Sequence, residues 1–339
     1  MMLRTTVLAL MVAIGSLAGA TFASAQVLKI ATVAPEGSSW MNQMRAGAKE
    51  IQTRTDGRVQ FKFYGGGVRG NDKKVLRLMR IGQLQGGAFT ASGLAERYPD
   101  IQLYGLPLLF RTQDEVDHVR AQLDKEIKDG MQDEGLVCLG IAGGGFANIM
   151  SQKPVRGAAD LKGQKVWVPE GDLISYATME ALGLSPVTLP ITDVLTGMQT
   201  GLIDIIGSSP VGALVLQWHT KVRYVSELPV AYLYGTLVVE KKVFDKIAPA
   251  DQQIVREVMT RVYNQFEVDN LADDDKALQA MLNGDIELVQ PDQSLVPVWR
   301  EESAKVRTRL AAQGAYSAQR LARIESLLAS YRAAKTATP

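Results

Sequence analysis

The chain carries one cysteine, Cys138, and two histidines, His118 and His219, in 339 residues. One thiol makes no internal disulfide, so the core must hold the fold unaided. Cys138 lies in the apolar, strand-like run 136–141 and reads as a buried structural thiol. Two distant histidines and this cysteine offer no metal-ligand cluster, and they leave little from which to assemble a nucleophile–base pair. An excess of charge is also missing: 37 basic residues face 36 acidic ones. Arg4 is the only charge before residue 26, so the remainder balances and attracts neither nucleic acid nor an anionic membrane surface. Beyond residue 25 no apolar run is long enough to span a bilayer, and there is no internal repeat or low-complexity linker.

What is present begins with a targeting segment. Arg4 gives a positive n-region, residues 7–17 an apolar h-region, and Ala23-Ser24-Ala25 an A-x-A cleavage site. The mature chain is expected to start at Gln26 and to be exported. From there strands alternate with helices, which means an α/β sheet. Residues 27–33 read as a buried strand and Ser38 as the cap of a helix running to Thr55. Strands are expected at 58–64, 87–90, 136–141 and 232–239. Helices are expected at 71–81, from Thr112 to 129, at 296–313 and at 318–334, with a frayed tail at 335–339. Pro249, with Asp251 behind it, opens a helix to Leu282. At 1.5 Å per residue that helix reaches about 50 Å, more than one domain's width.

The chain is organised around residues 143–210. Strands at 165–168, 186–189 and 202–206 enclose a helix from Asp172 to Leu182, ended by Gly183, and another that Thr192 caps and Gly201 ends. Ligands of open α/β sheets sit beyond the carboxyl ends of strands. Those ends carry Trp167-Val-Pro-Glu170-Gly-Asp172 and Gly207-Ser208-Ser209-Pro210. Trp167 reads either as core or as an aromatic platform for an apolar, cationic or sugar-like ligand. Trp40 is a similar candidate from the first helix, and Phe89, Tyr232 and Glu36 have positions that suit a cleft wall. Glu170 and Asp172 repel an anion there, unless they serve only as first-turn charges of their helix.

Other patterns are weaker. Gly65-x-Gly67-x-x-Gly70 matches the dinucleotide fingerprint in form, but no acidic residue closes the next strand, so it reads as a glycine-rich turn and no cofactor is implied. Gly207-Ser-Ser-Pro-Val211 lacks the second glycine of a nucleophile elbow. His118 reads as solvated and His219 as locally hydrogen-bonded. Asp273-Asp-Asp275 and Arg300-Glu-Glu302 fall in helical patterns and read as solvated faces.

Further motifs run in a fixed order: Lys29-Ile-Ala-Thr-Val-Ala-Pro35, residues 82–94, Leu106-Pro-Leu-Leu-Phe110, Pro154-Val155, Asp160-Leu-Lys-Gly163-Gln-Lys165, Ala181-Leu-Gly183 and Met198-Gln-Thr-Gly201-Leu-Ile-Asp204. In this order they resemble the periplasmic solute-binding proteins of TRAP transporters, the DctP family, over essentially the whole mature chain. The resemblance implies a two-domain, type II-like α/β clamp with one long helix spanning both domains. Domain I takes 26–147 and about 237–282, and domain II about 148–236 and 283–334. It further implies a monomer that captures a small organic solute by closure, converts nothing, and hands it to one small and one large integral membrane subunit. A ligand sensor docking on a receptor and an exported hydrolase are the rival classes.

The departures from the family pattern bear on the ligand. An arginine that clamps the ligand carboxylate usually stands where this chain has Trp167, and Ala147 stands at a second basic position. Ser208 and Ser209 fall where an amide usually lies. Tryptophan has one donor and no charge, so a simple dicarboxylate loses its bidentate partner. The expected ligand is neutral, aromatic or apolar, held by Trp167, Ser208, Ser209, Trp40, Phe89, Glu170, Asp172 and Tyr232. The alternative is an organic acid held by another basic residue, with Arg69, Arg97 or Arg111 as candidates.

Overall fold

A computed structural model describes residues 25–337. The expected leader up to residue 24 lies outside the described residues, as do the last two. In chain order the principal elements are β1 (Gln26–Thr32), α1 (Ser39–Arg54), β2 (Val59–Tyr64), α2 (Asp72–Arg80), β3 (Gly86–Thr90), α3 (Gln113–Asp133), β4 (Leu136–Ser151), β5 (Trp167–Pro169), α4 (Leu173–Ala181), β6 (Val187–Leu189), α5 (Val194–Gln199), β7 (Ile205–Ser208), α6 (Pro210–Val215), β8 (Tyr224–Glu240), α7 (Pro249–Leu282), β9 (Glu287–Val289), α8 (Val296–Ala312) and α9 (Ala318–Ala337). Side chains set many helix starts. Ser38, Asn71, Thr112, Asp172 and Ser209 each accept a hydrogen bond from a first-turn amide.

Two long antiparallel strands, β4 and β8, run through the whole molecule. Their outer ends pair from Leu136–Glu240 to Gly143–Tyr234, and there β3, β1 and β2 extend the sheet. Past a register shift between Gly143 and Phe146, the pairing continues to Ser151–Tyr224, with β7 beside β4 and β9 beside β8. The two-stranded β5–β6 sheet joins through a bridge between Val166 and Ile205. The molecule is thus two sheets that share a pair of strands.

Both faces of each sheet are buried, because successive side chains of a strand point to opposite faces. In the second half Ile149, Val166 and Ile205 pack on one face with Trp299, while their neighbours Met150, Trp167 and Ile206 pack on the other with Trp218. In the first half one face packs against α1 and α7, and the other against α2, α3 and α9. Helix α7 matches the expected bounds, with Pro249 in its first turn. Val255, Val258, Val262 and Phe266 enter the first half's core, and Met281 enters the second half's.

Several sequence-based expectations need correction. The strand expected at 202–206 starts at Ile205, because the Leu202 and Ile203 amides both bond to the Gly197 carbonyl and finish the preceding helix. Thr192 does not cap α5. It lies in a short 3-10 turn, and its hydroxyl bonds to Asp193 Oδ1 at 3.1 Å. The strands expected at 136–141 and 232–239 run to 16 and 17 residues, since the bulge absorbs the glycines that look like a break. Residues 335–337 are not a tail but the end of α9, with Lys335 Nζ 2.6 Å from Asp114. Helix α9 itself packs on α3 and also touches α8, and it shares the first half's core through Leu321, Ile324 and Leu328.

Candidate functional site

The β4–β8 crossover floors a cavity of about 400 Å³ between the two halves, a volume suited to a small organic molecule. Trp40, Phe89, Trp167, Asp172, Ser208, Ser209 and Tyr232 all line it, as does Ala147. Seven of the eight expected site residues therefore meet at one place, from segments nearly 200 positions apart. Glu170 is the exception. Its carboxylate accepts from Asn71 Nδ2 at 2.7 Å, joining the β5 loop of one half to the start of α2 in the other. Nearby, the backbone of Gly171 approaches the Ser92 carbonyl. The two lips of the cleft are in contact.

Most of the expected site residues have defined partners. Trp167 is 6% exposed. Its Nε1 donates to the Leu189 carbonyl at 2.9 Å and its ring meets Trp218 edge-on at 5.3 Å. Trp167 is part of the core, and it also lines the cavity with its side-chain donor already committed. Trp40 Nε1 donates to Asn270 Oδ1 at 2.8 Å, and Asn270 Nδ2 donates to the Gly143 carbonyl at 2.7 Å. Ser208 donates to the Ser209 carbonyl, and Ser209 caps α6. Asp172 caps α4, and burial holds its carboxyl above the usual carboxylate range against the pull of Ser175.

Tyr232 is backed by a charged network. Arg120 Nη1 lies 3.4 Å from its hydroxyl and also binds Glu267, while Arg120 Nη2 reaches Asp124 at 3.0 Å. Tyr232 explains Gly143: a Cβ there would lie 1.9 Å from the Tyr232 hydroxyl. Gly145, at φ 81°, occupies the left-handed region beside the Asp274 carboxylate.

The cavity's charge inventory is short. Among the described residues that line it there is no lysine, arginine or histidine, and one carboxylate, Asp172. The arginines considered as substitutes lie elsewhere. Arg69 stacks over Tyr64 at 4.1 Å, Arg97 pairs with Glu240 at 3.1 Å, and Arg111 is absent from the lining. Glu36 is also outside, bound to Arg45 and the Gly65 amide. Sequence reasoning missed Gln102, Trp218, Tyr234, Asn270 and Ser303, all of which line the cavity. No local motif marks them, since they come from a 3-10 turn, a strand interior and helix faces.

Catalytic and nucleotide readings find little support. His219 Nδ1 lies 3.2 Å from the Ala213 carbonyl, and His118 packs against Tyr331. In the glycine-rich turn the Gly66 and Gly67 amides bond to the Ala34 and Thr32 carbonyls, leaving them unavailable to a phosphate. Asp274 departs from the expected solvated face, for its Oδ1 accepts from the Val211 amide at 3.1 Å. Arg300 also departs from it, with a buried Nε that lacks a partner. Cys138 is only partly buried; its Sγ lies 3.5 Å from Thr236 Oγ1, and burial pushes the thiol up.

The chain is 26% identical over 212 residues to the 2,3-diketo-L-gulonate-binding periplasmic protein YiaO of Escherichia coli, covering 60% of this chain and 62% of that relative. It thus spans less than two thirds of the length of that curated relative and of YiiZ of Salmonella typhimurium. Solved structures match over nearly their whole length. A TRAP periplasmic solute-binding protein from Xanthobacter autotrophicus with bound β-D-galacturonate superimposes with a TM-score of 0.81 at 20% identity, covering 89% of this chain and 98% of the other. One from Desulfovibrio salexigens with bound orotic acid does so with a TM-score of 0.82 at 19% identity, covering 90% and 99%. The two-half α/β architecture is theirs, and these neighbours are solute-binding proteins rather than enzymes. The profile of the bacterial extracellular solute-binding proteins, family 7, matches residues 30–313, and this chain therefore belongs to that family, DctP.

Proposed function

We propose that this chain is the solute-capturing subunit of a TRAP-type uptake system and that its solute is neutral and largely apolar. DctP-family proteins work in the periplasm, and among the described residues no helix is long and apolar enough to cross a membrane. The leader at residues 1–25 would bring the chain there, and a small and a large membrane subunit would receive its solute. In this reading the halves close as two lobes, roughly 26–147 with 237–282 and 148–236 with 283–317. The α9 helix is carried by the first lobe, and the protein acts as a monomer.

The observation that carries the ligand assignment is the cavity wall, which has aromatic rings from both halves and, among the described residues, no cation. The neighbours' solutes are named as acids, galacturonate and orotic acid. A carboxylate buried in this cavity would lack a charged partner and would face Asp172, at a cost of several kcal/mol. A neutral solute with apolar faces avoids that cost and gains about 25 cal/mol per Å² of apolar surface buried.

The test is native mass spectrometry of the protein purified from its own periplasm, followed by identification of whatever denaturation releases. A neutral or apolar molecule returned unchanged is the expected result. A small carboxylate would overturn the assignment, and a chemically altered product would overturn the binding-protein reading itself.

A further inference from the structure

Outside the cavity, four arginines gather where α8 and α9 hold the segment 107–111. Arg307 Nη1 donates to the Pro107 carbonyl at 3.0 Å, and Arg332 Nη2 donates to the Leu109 carbonyl at 2.8 Å. Arg111 ends this segment. Arg300 lies two turns before Arg307 on α8, so the two share one helix face. Two carboxylates serve the group. Glu115 is buried and fully engaged: Arg332 grips its two oxygens at 2.7 and 2.8 Å, and Oε2 also accepts from the Arg111 amide at 2.7 Å. Glu325 lies 3.8 Å from Arg307. The acidic residues beside them in sequence are taken, Asp114 by Lys335 and both Glu301 and Glu302 by Lys305.

Arg300 has no counter-charge in contact. Its Nε is buried without a partner, and the residue makes no hydrogen bond or ion pair among the described residues. Burial, and then the charges of Arg111 and Arg332, hold its guanidinium below the usual arginine range; Glu115 alone acts the other way. Arg307, itself buried, also has an unpartnered Nε, and the Arg111 side chain makes no hydrogen bond or ion pair among the described residues. Four guanidinium groups thus face two carboxylates, an arrangement that costs stability unless an anion joins it. The group opens to solvent, since Arg111 is exposed and Arg300 and Arg332 are only half-buried.

We propose that Arg111, Arg300 and Arg332 bind a small divalent oxyanion of the phosphate or sulfate type at the junction of α3, α8 and α9. The planar fork of a guanidinium matches such oxygens, and a dianion balances the two positive charges left over. This site is separate from the solute cavity, which none of the three residues lines. Arg111 and Arg332 are tied to α3 and α9, whose cores belong to the first half, whereas Arg300 follows Trp299 in the second half's core. The bound anion therefore links the two halves outside the cleft, whatever solute the cavity takes.

The probe is inorganic phosphate, added to the full-length mature protein at pH 8 against potassium chloride of equal ionic strength. About 10 mM phosphate is expected to raise the melting temperature by roughly 2 °C more than chloride does, and equilibrium dialysis should find one phosphate bound per chain. Arg300→Met should cut that extra shift by about threefold or more. Arg111→Gln changes an exposed side chain and leaves the fold intact, so it should weaken phosphate binding several-fold even where Arg300→Met folds poorly. Vesicles of phosphatidylglycerol, whose phosphodiester carries one charge, should not retain the protein. Equal shifts in phosphate and chloride, no phosphate bound at dialysis, or a response that both variants keep would overturn the site. Retention on the vesicles that disappears in Arg111→Gln, without binding of free phosphate, would overturn the assignment to a small dianion.

Discussion

Asp72 sits where two opposing influences meet. It occupies the first turn of α2, where a negative charge suits the helix dipole, and its Oδ2 accepts from Thr90 Oγ1 at 2.9 Å. Desolvation outweighs both, and with Glu170 close by it raises the carboxyl from 3.8 to about 6. The folded chain therefore holds this proton more tightly than the unfolded chain does. The stabilisation is complete below pH 3.8 and is lost as pH rises through about 6. Asp72→Asn keeps the shape and the acceptor while removing the charge. It should match the parent at pH 4 and exceed it by on the order of 1–2 kcal/mol at pH 8, as read from urea unfolding at a series of pH values. A difference that stays constant across the series would show that the Asp72 charge is not what the cleft rim resists.

At the scale of elements, α7 and the two long strands β4 and β8 show what the sequence conveyed and what it hid. Helix α7 is legible because Pro249 marks its start and Ile254, Val258, Val262 and Phe266 repeat at helical spacing with Val255, Met259 and Tyr263 beside them, although Val255 rather than Ile254 is the residue that is fully buried. Strands β4 and β8 are not legible in this way. Gly143 to Gly145 and Pro229 look like breaks, and only the pairing of two distant segments turns them into a bulged crossover. The same division applies to the site. Asp172 lies at a helix cap, a place with a local signature, whereas Trp167, expected near the end of a strand at 165–168, opens β5 instead. Gln102, Tyr234 and Ser303 became neighbours of one cavity only through the packing of β8 and α8.

Arg120 belongs with the hidden set. It is 8% exposed, pairs with Asp124 one turn along α3, and ties that helix to Glu267 of α7, to the Ile141 carbonyl and to Tyr232. Breaking a buried ion pair from one side leaves uncompensated charge. Arg120→Met should accordingly cost about 3–5 kcal/mol in urea unfolding, and adding Glu267→Leu should recover a large part of it. If the single variant lost less than about 1 kcal/mol, the network would be as dispensable as a surface pair.

For the whole molecule, the decisive contact is the one between the lips. Asn71 works in two directions: its Oδ1 caps α2 by accepting from the Lys74 amide at 3.0 Å, while its Nδ2 donates across the cleft to Glu170 at 2.7 Å. Asn71→Asp retains the cap and places one carboxylate against another, so it opposes closure without unfolding the helix. A solute that binds only the closed form then loses affinity by the closed fraction that is lost. The variant should bind the solute released from the parent several-fold more weakly, and solution scattering should show a larger radius of gyration than the parent at equal solute concentration. Adding Glu170→Gln reverses the roles, with a glutamine donor facing an aspartate acceptor, and should restore both readings toward the parent. Restored affinity is the informative outcome, because a merely destabilised α2 would stay impaired in the double variant. If Asn71→Asp changed neither compaction nor affinity, the lip contact would be incidental, and closure would have to be governed by the β4–β8 crossover alone.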